Sequence, residues 1–267
     1  MAIRRTARRR EGGARHRTNA CMSTPLEQHQ TEIERNLAHW RRKPLLQKIY
    51  AGFYARIIAQ IDAHKRGSVV EIGSGIGNLK AHLPGVVCTD LFPNPWIDVV
   101  CDGYELPFAD GSLSHLVLFD VFHHLEAPAL FFNEARRALA SGGRVILFEP
   151  FISATSFPVY GLFHHEPVAF GEPISLADDV PCPRAYYAAQ GNATRLFFRR
   201  EHGTWPPGWK TFHPAAFASF AYLLSGGYSK PAVYPSACLG GLQRLDAKLS
   251  RWPRLFGARC LVGLEKT

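Results

Sequence analysis

The chain has 267 residues, 46% of them hydrophobic, and a formal net charge of +9. That is enough apolar material for one large domain, and no apolar run reaches the roughly 18 residues of a membrane span. The charge is uneven, with seven arginines in the first 21 residues against the single acid Glu11, so a basic whole-chain balance is weak evidence for a nucleic-acid partner.

That basic stretch has almost no apolar content and is expected to be a disordered tail over residues 1–23. Three readings stay open for it. It fits a targeting peptide, a basic arm for nucleic acid, or an upstream extension with translation starting at Met22. The last is favoured because structure signals begin right after Met22. Thr24 suits an N-cap, Pro25 the first helical position and Glu27 a capping box, predicting a polar helix to Trp40 or Arg42. After Pro44, Leu46, Ile49, Tyr50, Phe53, Ile57 and Ile61 recur at helical spacing, so a second, amphipathic helix follows.

From Ser68 the pattern alternates. Strands are predicted at Ser68–Ile72, Val86–Thr89, Ile97–Cys101, His115–Phe119 and Arg144–Phe148. Helices are predicted at Gly77–Leu83 and Pro128–Ala140, the latter closed by Ser141-Gly142-Gly143. Apolar strands alternating with helices imply a mostly parallel sheet covered on both faces, whose ligands sit beyond the strands' carboxyl ends.

The turn after the first strand reads VEIGSGIGN, with Gly73, Gly75 and Gly77. A dinucleotide fingerprint would want a glycine where Asn78 stands. Glu71, two residues before the first glycine, would repel a pyrophosphate but accept a hydrogen bond from an ammonium group. The loop therefore suits a cofactor with a cationic end and no phosphate, and S-adenosylmethionine fits. A glycine-rich turn without a ligand competes with this reading. Two further acids count against it: Asp90 ends the second strand, where a carboxylate can take ribose hydroxyls, and Asp102 ends the third, beside Gly103.

VVEIGSGIGN, the TD at 89–90, CDGYELPFADGSLSHLVLFDVFHHL and GGRVILFEP together resemble class I S-adenosylmethionine-dependent methyltransferases, most closely the small-molecule methylases of quinone-pathway type. The resemblance covers residues 68–150 and implies a Rossmann-like α/β fold with a seven-stranded sheet and an antiparallel last strand. It implies Glu71, Gly73, Gly75 and Asn78 near the methionine end of the cofactor, Asp90 and Leu91 at the ribose, and Asp102 and Gly103 at the adenine with Phe119 beside it. Ser114 departs from the aspartate that often enters the fourth strand.

Residues 151–213 are expected to be an insertion over the cofactor, a substrate lid within a single domain spanning 24–267. The chain would then close with a helix at Pro214–Leu224, a strand near Lys230–Tyr234, a helix at Leu242–Leu249 and a strand at Ala258–Leu264. Most of the insertion's aromatics are expected to be its own core, with two or three facing a ligand. Asp120, His123 and His124 follow the fourth strand, and a helix starting there would put both histidines on the side of Asp120, a carboxylate able to orient an imidazole. Structural roles for the pair compete. FHHE at 163–166 has an acid-assisted metal site as its sharpest reading, but adjacent histidines point apart on most backbones, and no metal is expected.

The expected activity is methyl transfer from S-adenosylmethionine to a small-molecule acceptor, through a hydroxyl of an aromatic, lipid-like or sugar substrate. The alternatives are an RNA-directed methyltransferase using the Arg-rich tail and a non-catalytic binding protein on this scaffold. Six scattered cysteines without a CxxC pair, and no signal-peptide core, imply a cytoplasmic location with no membrane span. Acceptor atom and oligomeric state stay open.

Overall fold

A computed structural model describes residues 25–164, 166–176 and 187–267. The Arg-rich tail and Thr24 lie outside the described residues. Helix α1 (Pro25–Arg42) and helix α2 (Pro44–Ile58) lead into strand β1 (Ser68–Ile72). Pro at the first position starts α2, and Leu46, Ile49, Tyr50, Phe53, Tyr54 and Ile57 form its buried stripe.

The strands that follow are β2 (Val87–Asp90), β3 (Val99–Val100), β4 (Leu113–Phe119), β5 (Leu139–Pro150), β6 (Trp209–Ala218) and β7 (Gly257–Lys266). They form one sheet in the order β3-β2-β1-β4-β5-β7-β6. β1 to β5 run parallel, and β7 is antiparallel to both neighbours, β5 and β6. This is the Rossmann-like arrangement that the sequence implies.

The sheet separates two cores by the period-two alternation of its central strands. Leu116 and Leu118 of β4 and Val145 and Leu147 of β5 face helix α3 (Pro128–Ala138), meeting Phe131, Phe132, Ala135 and Ala138. Val117, Ile146 and Phe148 point the other way, onto α2. Each of the buried Val, Leu, Ile and Phe side chains contributes about 1.5–3 kcal/mol by leaving water.

Several elements differ from expectation. The chain after β1 makes only a 3₁₀ turn, Asn78–Ala81, instead of a helix to Leu83, since Pro84-Gly85 follows too soon for more. β3 has two residues rather than five. α3 ends at Ala138 with no glycine cap; Leu139 already pairs with Leu113, and Arg144 pairs with His115, so Ser141-Gly142-Gly143 falls in a bulge inside β5.

The largest correction is at 209–224. Residues 209–218 are β6, and only Phe220–Leu224 is helical, as α5. The alanines of this stretch favour helix by propensity, but pairing with β7 overrides them. Residues 230–234 form no strand. Helices α6 (Leu239–Leu249) and α7 (Pro253–Phe256) precede β7. Between β5 and β6 lie helix α4 (Ser156–Phe163) and a π-helical turn at Thr194–Arg199. Among the described residues no helix is long and apolar enough to cross a membrane.

Candidate functional site

A cavity of about 720 Å³ opens beyond the carboxyl ends of β1, β2, β4 and β5, within the usual range for small-molecule sites. Residues of α1, among them His29, Ile33 and Asn36, cover one side, and Tyr160, Glu166, Tyr187 and Gln190 of the β5–β6 connection cover the other.

The glycine loop forms one end. Gly73, Gly75 and Gly77 all have positive φ, which side chains tolerate poorly. A side chain on Gly73 would strike Val121, and one on Gly77 would meet the Trp96 carbonyl oxygen at 2.8 Å. Gly75 differs: a Cβ there would meet only Ile33 Cδ1, at 3.9 Å. The first and third glycines thus close the loop against its neighbours, while the second faces the cavity.

Asp90 receives the loop. Its Oδ2 accepts from the Gly75 amide at 2.9 Å and its Oδ1 from the Leu91 amide at 2.8 Å, while His29 Nε2 approaches Oδ1 at 3.7 Å. Glu71 is buried beneath the loop, with Cys88 Sγ at 3.9 Å; burial outweighs the help of Ser74 and Cys88 and pushes its carboxyl up to about 8. Asn78 donates to the Tyr228 hydroxyl at 3.3 Å.

Glu71, Gly73, Gly75, Asn78, Asp90, Leu91, Gly103 and Phe119 all line this cavity. Asp102 does not line it. Its Oδ1 accepts from the Tyr104 amide at 2.9 Å, so it shapes the turn that presents Gly103 and Tyr104. Nor does Phe119 sit beside Gly103. It packs at 5.3 Å from Tyr50 and 4.8 Å from Phe148, on the α2 side of the sheet, whereas Gly103 abuts Phe131 and Ile72 on the other.

A polar group adjoins the glycine loop, beginning beside Val121, which packs against Gly73. Asp120 has φ of 57°, a conformation that aspartate adopts more readily than most residues. It pairs with Arg259 Nη2 at 2.6 Å. Arg259, on β7, is buried among the rings of Phe148 (4.9 Å), Tyr222 (5.3 Å), Phe53 and Phe119 (both 5.6 Å).

No α-helix starts at Asp120; a 3₁₀ turn, Phe122–His124, sets the two imidazole centroids 4.2 Å apart with the rings tilted by 40°. The carboxylate that bonds to His123 is Glu149, at the end of β5, rather than Asp120. Glu149 Oε1 accepts from the Val121 and Phe122 amides at 2.9 and 2.7 Å, and Oε2 holds His123 Nδ1 at 2.6 Å. His123 Nε2 lies 3.2 Å from Glu166 Oε2. Burial alone would lower His123, but Glu149 and Glu166 together push it up to about 10. His124 Nδ1 bonds to the Tyr187 carbonyl at 3.0 Å; burial and the charge of His123 lower it. Burial would raise the Glu166 carboxyl, but His123, His124 and His164 hold it below the usual carboxylate range.

Sequence reasoning passed over Glu149, Tyr104, Tyr222, Tyr228 and Arg259. One signal was available: Arg259 interrupts an otherwise apolar final strand, and an arginine buried in a sheet needs a partner. Of the insertion's aromatics, Tyr160 and Tyr187 face the cavity, while Phe197, Phe198 and Trp205 pack in the α3-side core. Tyr186 and His165 lie outside the described residues.

Residues 70–147 match the family described as a methyltransferase domain. No curated protein sequence matches the chain. Among solved structures, an S-adenosylmethionine-dependent methyltransferase from Thermotoga maritima superposes with a TM-score of 0.54 at 15% identity, over 88% of this chain and 98% of its own. A geranyl diphosphate C-methyltransferase from Streptomyces coelicolor, solved with Mg²⁺, geranyl diphosphate and S-adenosyl-L-homocysteine, superposes at 0.52 and 11% identity, over 83% and 80%. At such identities the structural likeness is one of fold.

Proposed function

We infer, from a chain that carries a methyltransferase domain of the class I S-adenosylmethionine-dependent kind, that this enzyme methylates a small-molecule acceptor, at a hydroxyl of an aromatic, lipid-like or sugar compound. The observation that carries this reading is the continuity of one cavity from the glycine loop to the histidine wall, which gives cofactor and acceptor a shared chamber.

The residues at the loop end fit the cofactor. Gly75 leaves space where a side chain would intrude, and two carboxyl groups of different character face the chamber. When bound, S-adenosylmethionine supplies an electrophilic methyl group on a positively charged sulfur. Asp90, held by two backbone amides, takes the ribose hydroxyls. Glu71 takes the cationic amino end. Leu91, Gly103 and Tyr104 flank the adenine. The rings of Tyr50, Phe119, Tyr222 and Tyr228 exclude water and present π faces to positive charge.

His123, His124 and Glu166 form the polar wall that receives the acceptor hydroxyl, with Asp120 and its Arg259 partner at the chamber floor. Fixing two reactants in line is worth roughly 7–11 kcal/mol, so placement does most of the work. The quinone-pathway subtype is carried only by the sequence resemblance.

Calorimetry tests the reading. S-adenosylmethionine and its demethylated product should both bind, and Asp90→Ala should weaken them by about 10- to 100-fold through loss of charge-assisted hydrogen bonds of roughly 1.5–3 kcal/mol. Absence of binding to either ligand would remove the proposed function.

A further inference from the structure

Three imidazoles converge on the single carboxylate of Glu166. His123 Nε2 lies 3.2 Å from Oε2, His124 Nε2 3.5 Å from Oε1, and His164 Nδ1 3.7 Å from Oε2. One donor atom from each of His123, His124 and Glu166 can be chosen so that all lie within 4.8 Å of one another. In a tetrahedral centre with metal–ligand bonds of about 2.0–2.1 Å, neighbouring ligand atoms stand about 3.3–3.4 Å apart. The nitrogen–oxygen separations here already have that scale.

The two central histidines are also oriented for coordination. A carboxylate oxygen and a carbonyl oxygen only accept hydrogen bonds, so Glu149 and the Tyr187 carbonyl each require the proton on Nδ1. Nε2 of both rings faces Glu166, and the proton that Glu166 holds on His123 Nε2 has to leave as an ion enters, so uptake releases a proton. A histidine whose second nitrogen donates to a carboxylate or a backbone carbonyl is the usual arrangement around a bound metal. Gln190 Nε2 also donates to Glu166 Oε2 at 3.1 Å and contacts His164 Nδ1, so Oε1, beside His124, is the oxygen better placed for an ion. The neighbouring group of Asp120, His123 and Glu149 is less suited, because Arg259 occupies Asp120 and two backbone amides occupy Glu149.

We propose that His123, His124 and Glu166, with His164 at the rim, bind a divalent transition-metal ion on the acceptor side of the cavity. Two imidazoles and a carboxylate suit zinc, iron, cobalt or nickel better than magnesium or calcium, which prefer all-oxygen shells. All four side chains line the chamber, so an exchangeable position of the ion faces the place where an acceptor would lie. Such an ion selects acceptors that offer it an oxygen, a phenol or a hydroxyl beside a carbonyl. The ion site stands on these side chains; its use in methyl transfer rests on the function proposed above.

The test uses the full chain after treatment with a chelator. Zn²⁺ is titrated by calorimetry, and Co²⁺ by visible absorption, whose bands are intense for four-coordinate cobalt and faint for six-coordinate. The expected result is saturable uptake with the intense cobalt spectrum, weakened at least about 10-fold in both His124→Ala and Glu166→Gln and unchanged in His64→Ala at an exposed position. His124 is partly exposed, so its replacement leaves the fold standing, and retained binding of S-adenosylhomocysteine verifies this in each variant. No uptake by the unsubstituted chain, or equal uptake by the His124→Ala and Glu166→Gln variants, overturns the site. Metal uptake without cofactor binding would remove the methyltransferase reading and leave the metal site; cofactor binding without metal uptake would do the reverse.

Discussion

Glu71 is a buried carboxyl whose proton is held up to about 8 by burial, in a chamber proposed to take a cationic ligand. A positive group arriving beside it favours the carboxylate and lowers that value, so binding expels a proton wherever the ligand-free carboxyl is protonated. The sign follows: cofactor affinity should rise with pH toward about 8, by at most about tenfold per pH unit, and fall again above it as the ligand's own amino group loses its proton. Calorimetry between about pH 6 and pH 9 checks this, and Glu71→Gln should bind more weakly with a flatter profile. A rise that survives in Glu71→Gln would assign the proton elsewhere. That Glu71 and Asp90 reach the cavity was legible in the sequence, because one stands next to last in its strand and the other ends its strand, each at a turn. Asp102 looked equivalent, yet its side chain satisfies its own turn, a choice set by local geometry that strand position does not encode. Glu149 was invisible for the opposite reason. It resembles any strand-ending acid until β4 and β5 are side by side and the Val121 and Phe122 amides come within reach.

The glycine loop shows how an element divides its labour. Gly77→Ala combines an unfavourable left-handed backbone with a contact to the Trp96 carbonyl that a methyl group cannot relieve. It should cost clearly more in chemical denaturation than Gly75→Ala, where the backbone penalty of about 1–2 kcal/mol stands alone. For cofactor binding, by contrast, Gly75→Ala should be the damaging change, since its methyl group points into the chamber. Equal losses of stability would mean that the loop relaxes around Trp96. The central strands were readable because uninterrupted Val, Ile and Leu runs have few other uses. β6 was not, because Pro-Ala-Ala-Phe-Ala looks like a helix start and becomes a strand only when β7 supplies its partner.

At the scale of the molecule, the chamber is assembled from both ends of the described chain and the middle. α1 touches it through His29, Ile33 and Asn36, and the β5–β6 connection touches it through Tyr160, Glu166 and Gln190, while the sheet beneath is fixed by two cores. Hydrogen exchange should therefore be slow in β1, β4 and β5, and S-adenosylhomocysteine should add protection chiefly in α1 and the glycine loop. Protection confined to the α3 face would contradict the placement of the ligand. The fold class was legible from alternation alone, but the company kept by His123, His124, Glu149, Glu166 and Arg259 was not, since segments far apart in sequence meet only in the folded chain. The position of β7 has a further consequence for synthesis. β6 leaves the ribosome first, yet it borders only β7, which must slot between it and β5. Until that late segment emerges, β5 offers a bare edge to chaperones or to other nascent chains, and Asp120 waits for its guanidinium. A message truncated ahead of Gly257 would thus yield a product with an unfinished sheet and an open chamber floor, however complete its glycine loop.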